Sequence, residues 1–253
     1  MKRIKMTVAY DGTNYCGWQV QPNGITIEEV LNTHLSKLLK EEIRVIGASR
    51  TDSGVHALAN VAVFDTKARM PGDKISFAMN QRLPEDIIVQ GSEEVPSDFH
   101  PRYCNSVKTY EYKILNRTFN IPSYRLNTHF VYVPLDVEAM KQAAGYLVGR
   151  HDFRSFCTPR TQVNDFVREI YALDVSKEGD IITMRISGSG FLYNMVRIIA
   201  GTLIRVGSGY YAPEYIPEIL EKKDRNAAGP TAPARGLTLI KIDYPLDEDE
   251  ITA

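Results

Sequence analysis

The sequence predicts an α+β protein: a mostly antiparallel sheet with helices on one face, built as two similar α/β halves joined around a central cleft. Three observations carry this. Short runs alternate apolar and polar residues at period two, as at Ile4, Met6, Val8 and Tyr10. Other runs carry apolar residues at helical spacing, as at Ile27, Val30, Leu31, Leu35, Leu38 and Leu39. The second half mixes strands and helices in an order similar to the first, without a residue-level repeat.

Taken in order, the opening alternation is a strand, and Asp11-Gly12-Thr13-Asn14 is a turn. Thr26 and Glu29 form a capping box that starts the first helix. Strands are expected near 43–48 and 58–65, then a short helix near 74–82 stopped by Pro84, then a strand from Ile87. Beyond a boundary near 104–106, strands are expected near 107–115 and 129–133. Asp136 caps a helix running through Leu147-Val148, with Gly149 as its stop. Strands near 169–175 and 180–187 follow, then a helix from Leu192 to Val206 ended by Gly207. The last strand is Leu237–Ile242. The expected organisation is a half over 1–105, a half over 106–246 and an acidic tail over 247–253.

The 253 residues, 43% of them hydrophobic, suit one large domain or two closely joined ones. No apolar run approaches a membrane span. The start reads as a strand, without the apolar centre of a signal peptide, so a cytoplasmic protein is expected. Cys16, Cys104 and Cys157 are widely spaced, and no cysteine–histidine cluster suggests a metal site. The net charge of −1 argues at first against nucleic acid, but four acids sit together in the tail Asp247-Glu248-Asp249-Glu250. Residues 99–125 instead carry five cations (Arg102, Lys108, Lys113, Arg117, Arg125) against one acid, Glu111, interleaved with aromatics. That mixture suits phosphate contact with base stacking. It suits equally a strand with a solvated basic face and a tyrosine-rich core side.

The most informative stretch is Gly47-Ala48-Ser49-Arg50-Thr51-Asp52-Ser53-Gly54-Val55-His56-Ala57. Glycine brackets a loop in which one carboxylate, Asp52, stands two residues from one guanidinium, Arg50. Asp52-Ser53-Gly54 by itself is an ordinary turn. Arg197 stands in an otherwise apolar helix. Such an arginine is costly to bury unless paired, and otherwise snorkels to solvent. Tyr110, Tyr112 and Ile114 share one strand face, which by itself is a core face.

The eleven-residue string resembles the signature of the TruA family of tRNA pseudouridine synthases. Three further blocks resemble that family in the same order. They are Tyr10–Gln21, the run Met195-Val196-Arg197-Ile198-Ile199-Ala200-Gly201, and Gly229–Leu239. The basic-x-Tyr-x-Tyr strand at Lys108–Tyr112 is similar too. The resemblance implies Asp52 as the catalytic residue and Arg197 as its ion-pair partner. It implies Tyr110 as the residue that stacks on the target base, and Arg50 and Leu237 as substrate-positioning residues. It implies isomerisation of uridines 38, 39 and 40 in the tRNA anticodon arm by a homodimer, with no DNA, membrane, metal or cofactor involved. The chemistry needs a carboxylate near the sugar–base bond and a target base out of its stack. Glu111 departs from the basic residue found in relatives. Trp18 is as readily a structural anchor as an RNA contact, and Arg150–Phe156, extended by Arg160 and Arg168, is a candidate basic surface. A paralogue with other RNA targets and a non-catalytic RNA-binding module are the alternatives.

Overall fold

The structure, a computed structural model, describes residues 1–159 and 164–244. Arg160, the segment 161–163 and the acidic tail lie outside the described residues. The chain is mixed α+β with mostly antiparallel strands, and it divides into two compact units. Among the described residues, one is Met1–Ser106 with 239–244, and the other lies within Val107–Thr238.

In the first unit, β1 (Lys2–Tyr10) lies between β3 (His56–Thr66) and β4 (Ile87–Val95), antiparallel to both. Its period-two alternation puts Ile4, Met6 and Val8 on one face, all fully buried. The register against β3 shifts between Val8 and Tyr10. The shift falls where β1 pairs with the start of β3, next to the loop that carries Asp52. Helix α1 (Ile27–Leu39) starts where the capping box places it, the Thr26 hydroxyl accepting from the Glu29 amide at 3.3 Å. It buries Ile27, Leu31, Leu35 and Leu39, each contributing roughly 1.5–3 kcal/mol of transfer free energy.

The strand expected over 43–48 is only β2, Ile46–Gly47. The physical reason is local. The Ile43 amide donates to Ser36 Oγ at 2.9 Å and the Val45 amide to Asn32 Oδ1 at 2.8 Å. Side chains of α1 thus serve amides that a ladder would otherwise use. Helix α2 (Gly72–Asn80) packs on β4, two residues earlier than expected.

Across β1 and β3, Arg3 grips Asp65 with both arms, Nε to Oδ1 at 2.9 Å and Nη2 to Oδ2 at 2.7 Å. This bond holds the Asp65 carboxyl below its ordinary value. A depressed carboxyl stabilises the fold above its unfolded value and stops doing so as pH falls through the depressed one. Asp65→Asn is therefore expected to cost about 0.5–1 kcal/mol at pH 7. Urea titrations should show the gap between parent and variant closing below about pH 4.

In the second unit, β5 (Val107–Asn116), β9 (Ile181–Gly188), β8 (Val167–Glu178) and β7 (Gly149–Asp152) follow one another antiparallel. The short β6 (His129–Val131) lies parallel to β5 on the latter's other side. Helix α3 (Val137–Gly145) is capped by Asp136, whose carboxylate accepts from the Ala139 amide at 3.0 Å. It stops three residues short of Val148. Tyr146, Leu147 and Val148 donate to carbonyls three residues back, a tighter turn than the α-helix. Gly149 opens β7 instead of capping the helix.

Helix α4 (Met195–Gly207) starts three residues later than its apolar pattern suggests, after Asn194. Helix α5 (Tyr215–Lys222) was not anticipated. It buries only Ile216 and Ile219 and carries Pro217 in its first turn, too little periodicity to read. The final strand, β10, runs Leu237–Asp243.

Candidate active site

Asp52 stands in the loop from Ala48 to Val55 that joins β2 to β3. Its residue is partly exposed, Arg50 is exposed, and Thr51 between them is buried. The loop is tied down by groups far away in sequence. Asn60 on β3 accepts from the Ser49 amide at 3.2 Å and donates to the Ser49 carbonyl at 2.9 Å. The Asn60 side-chain amide also reaches the Tyr10 hydroxyl at 3.2 Å, which lies 2.7 Å from the Thr51 hydroxyl. The Trp18 amide donates to the Thr51 carbonyl at 3.0 Å, and the Val55 amide closes the turn onto the Asp52 carbonyl at 3.1 Å. Each bond contributes about 1 kcal/mol net, and buried ones left unmade cost more.

The Tyr10–Trp18 block wraps this loop. Ser53 Oγ and the Gly54 amide both donate to the Tyr15 carbonyl, at 3.1 and 3.3 Å. Gly12 approaches so closely that a Cβ on it would collide with the Val55 carbonyl oxygen. Trp18 is 1% exposed, so it anchors the core. His56 is buried, its Nδ1 accepting from the Gly12 amide at 3.1 Å and lying 3.1 Å from Asp11 Oδ1. Burial alone would raise the Asp11 carboxyl. The hydroxyl and amide of Thr13 outweigh it and hold the carboxyl below its ordinary value.

The second unit positions Arg197, Tyr110 and Leu237. Arg197, in the first turn of α4, is partly buried. Its Nε donates to the Ala232 carbonyl at 2.8 Å and its Nη1 to Asn194 Oδ1 at 2.9 Å. Asn194 also donates to the Thr158 hydroxyl at 2.9 Å and holds a left-handed backbone with φ of 61°. That conformation is rare outside glycine, though asparagine tolerates it. The Ala232 amide returns a bond to the Arg197 carbonyl at 3.0 Å. The guanidinium is thereby aimed by the helix start on one side and the 229–233 segment on the other.

Tyr110 is 9% exposed, with Phe191 edge-on at 5.4 Å. Tyr112, two residues along the same face, is fully buried and donates to the Pro233 carbonyl at 2.9 Å. Burial pushes its phenol up, against the opposing pull of Arg197 and Arg235. Leu237, 5% exposed, opens β10 directly after the segment that braces Arg197. Glu111 accepts from Arg185 Nη1 at 2.6 Å across the β5–β9 pair, which accounts for an acid at that position. The basic and aromatic segment 99–125 divides. Tyr112 is core, Tyr103 and Phe119 are largely exposed, and Tyr103 stacks on His100 at 4.1 Å.

Sequence reasoning missed Asn194, whose only signal is an αL-tolerant residue directly before a helix. It also missed the Tyr10–Thr51–Asn60 network, which joins residues up to 50 positions apart and leaves no local signal. Among the described residues, no group of three or more His, Cys, Asp or Glu side chains is placed to hold a metal ion. No helix among them is long and apolar enough to cross a membrane.

A family model described as tRNA pseudouridine synthase matches residues 6–104 and 143–245. The tRNA pseudouridine synthase A of Ruminiclostridium cellulolyticum is 50% identical over 245 residues, covering 96% of this chain and 100% of that protein. The protein of the same name from Thermoanaerobacter sp. is 47% identical over 244 residues, with 96% and 100% covered. A solved structure described as a Cbf5-Nop10-Gar1 complex aligns with a TM-score of 0.36 at 15% identity. That alignment covers 89% of this chain and 60% of that one, a likeness too slight to bear on the site. The two-part match and the full-length relatives place the chain in the tRNA pseudouridine synthase family, isomerases that convert uridine to pseudouridine in tRNA.

Proposed function

We propose that this enzyme isomerises uridines 38, 39 and 40 in the anticodon arm of tRNA, with Asp52 as its one catalytic residue and without a cofactor. The observation that carries the reading is the Asp52 loop. A partly exposed aspartate sits on a turn that is held from Tyr10, Tyr15, Trp18 and Asn60. Catalytic groups act best when held rather than searching for their geometry. The reaction breaks the bond from uracil N1 to the sugar, turns the base, and forms a carbon–carbon bond from C5 to the sugar. The C5 proton is lost and N1 gains one, so nothing is oxidised or consumed. Asp52 serves as nucleophile toward base or sugar, or takes a sugar proton.

In this reading Arg197 keeps Asp52 ionised and oriented, Tyr110 stacks on the turned-out base, Leu237 lines the base with apolar surface, and Arg50 contacts the RNA backbone. The protein acts as a cytoplasmic homodimer, and two modest basic surfaces add across its axis to hold one tRNA. Unmodified tRNA transcripts bearing uridine at 38, 39 or 40 test the assignment by mapping pseudouridine after reaction with the protein alone. Conversion at these positions supports it, and conversion confined to other uridines replaces it.

Arg197→Lys is expected to lower kcat by roughly 10–100-fold, the loss of one or two charged hydrogen bonds. A lysine cannot serve the Ala232 carbonyl and Asn194 Oδ1 from a planar fork as the arginine does. Single-turnover kinetics with circular dichroism of the variant check this.

A further inference from the structure

The Gly12 amide is buried, and its acceptor is His56 Nδ1 at 3.1 Å. A buried amide needs an acceptor, and the Nδ1 lone pair supplies it. The nearby Asp11 Oδ1, 3.1 Å from the same nitrogen, is already served by the Thr13 amide at 2.9 Å and the Thr13 hydroxyl at 2.6 Å. It does not need the histidine as a donor, whereas Gly12 needs it as an acceptor. Gly12 in turn lies in backbone contact with Val55, whose amide closes the turn on the Asp52 carbonyl. His56 follows Val55 directly at the head of β3.

We propose that His56 is a positioning residue for the isomerisation: through its Nδ1 lone pair it seats Gly12 against Val55 and so sets the turn that presents Asp52. This inference rests on the reading of Asp52 as the catalytic residue. His56 acts through the backbone of the loop and transfers no proton to substrate. Its requirement is geometric, an acceptor at the Nδ1 position.

Asparagine and glutamine separate that requirement from bulk or polarity. In His56→Asn the side-chain oxygen falls where Nδ1 stands. In His56→Gln it falls near Nε2, one bond too far. His56→Asn is expected to keep kcat within about threefold of the parent, and His56→Gln to lose about tenfold or more, the equivalent of one buried hydrogen bond. The Kd for tRNA should stay within about twofold for both, since phosphate contacts dominate binding. Asp11→Asn, which keeps an oxygen for the Thr13 amide, should keep kcat within about twofold.

Equal kcat for the asparagine and glutamine variants, or a loss in Asp11→Asn as large as in His56→Gln, overturns the proposal. Thermal melts accompany each variant. Should His56→Gln not fold, a folded His56→Asn with kcat lowered tenfold overturns the proposal and one with kcat retained supports it. Asp52→Asn is measured in parallel. If that variant stays active, the reading of Asp52 fails. If it is inactive while His56→Gln is fully active, only the role of His56 fails.

Discussion

Asp52→Asn is expected to lower the single-turnover rate of pseudouridine formation by about 10³-fold or more while leaving tRNA affinity within about threefold. The amide has the shape of the carboxylate but neither attacks carbon nor accepts a proton at neutral pH. The substitution leaves in place the loop bonds made by other groups. The Val55 amide bonds the Asp52 backbone carbonyl, Thr51 is held through its own hydroxyl and carbonyl, and Ser49 through its backbone. A fall in kcat with the fold retained is therefore the expected pattern. Quench-flow mixing of excess enzyme with labelled transcript, alongside filter binding, measures both quantities. An Asp52→Asn enzyme within tenfold of the parent rate would remove Asp52 from the chemistry and direct attention to other carboxylates of the loop region, with Asp11 first.

The parts of the fold that were legible are those whose signal is local and periodic. The alternation at Ile4, Met6 and Val8 and the box at Thr26 and Glu29 each specify a strand or a helix start within a few residues. Where the reading slipped, a tertiary partner had overridden the local pattern. Ile43 and Val45 look like strand residues and are buried, but side chains of α1 take their amides. Leu192 continues the apolar pattern of α4, yet the helix waits for Asn194 to turn the chain.

The candidate site was legible in a different way. Asp52, Arg197, Tyr110, Arg50 and Leu237 came from a resemblance, since spacing alone favoured a turn, a snorkelling arginine and a core tyrosine. What no reading of the string supplied is the support beneath them. Examples are the Asn60 amide that grips Ser49 from both sides and the 229–233 segment that backs Arg197. These contacts join residues 11 to 35 positions apart, and they exist only once the strands and helix are assembled.

That support yields the largest expected effect on stability, at Gly201. Helical geometry sets Gly201 one turn beyond Arg197, on the same face. The 229–233 segment lies on that face. The Gly229 amide donates to Thr202 Oγ1 at 2.9 Å, and the Ala232 amide bonds the Arg197 carbonyl. Between them the Pro230 carbonyl oxygen occupies the place where a Cβ on residue 201 would stand. Propensity alone predicts that Gly→Ala in a helix stabilises by about 0.8–1 kcal/mol. Here the clash opposes it. Displacing the segment costs about 1–3 kcal/mol for overpacking, plus about 1 kcal/mol for each hydrogen bond released. Gly201→Ala is therefore expected to destabilise by a net of about 2 kcal/mol and to lower kcat as Arg197 loses its brace. Gly145, the last residue of α3, provides the contrast, because a Cβ there meets nothing within 4 Å. Gly145→Ala should be neutral or stabilise by up to about 1 kcal/mol. Urea unfolding of the two variants beside the parent compares them at equal m-value. If both alanines stabilise alike, the 229–233 segment is not packed on α4, and the aim of the Arg197 guanidinium must come from somewhere else.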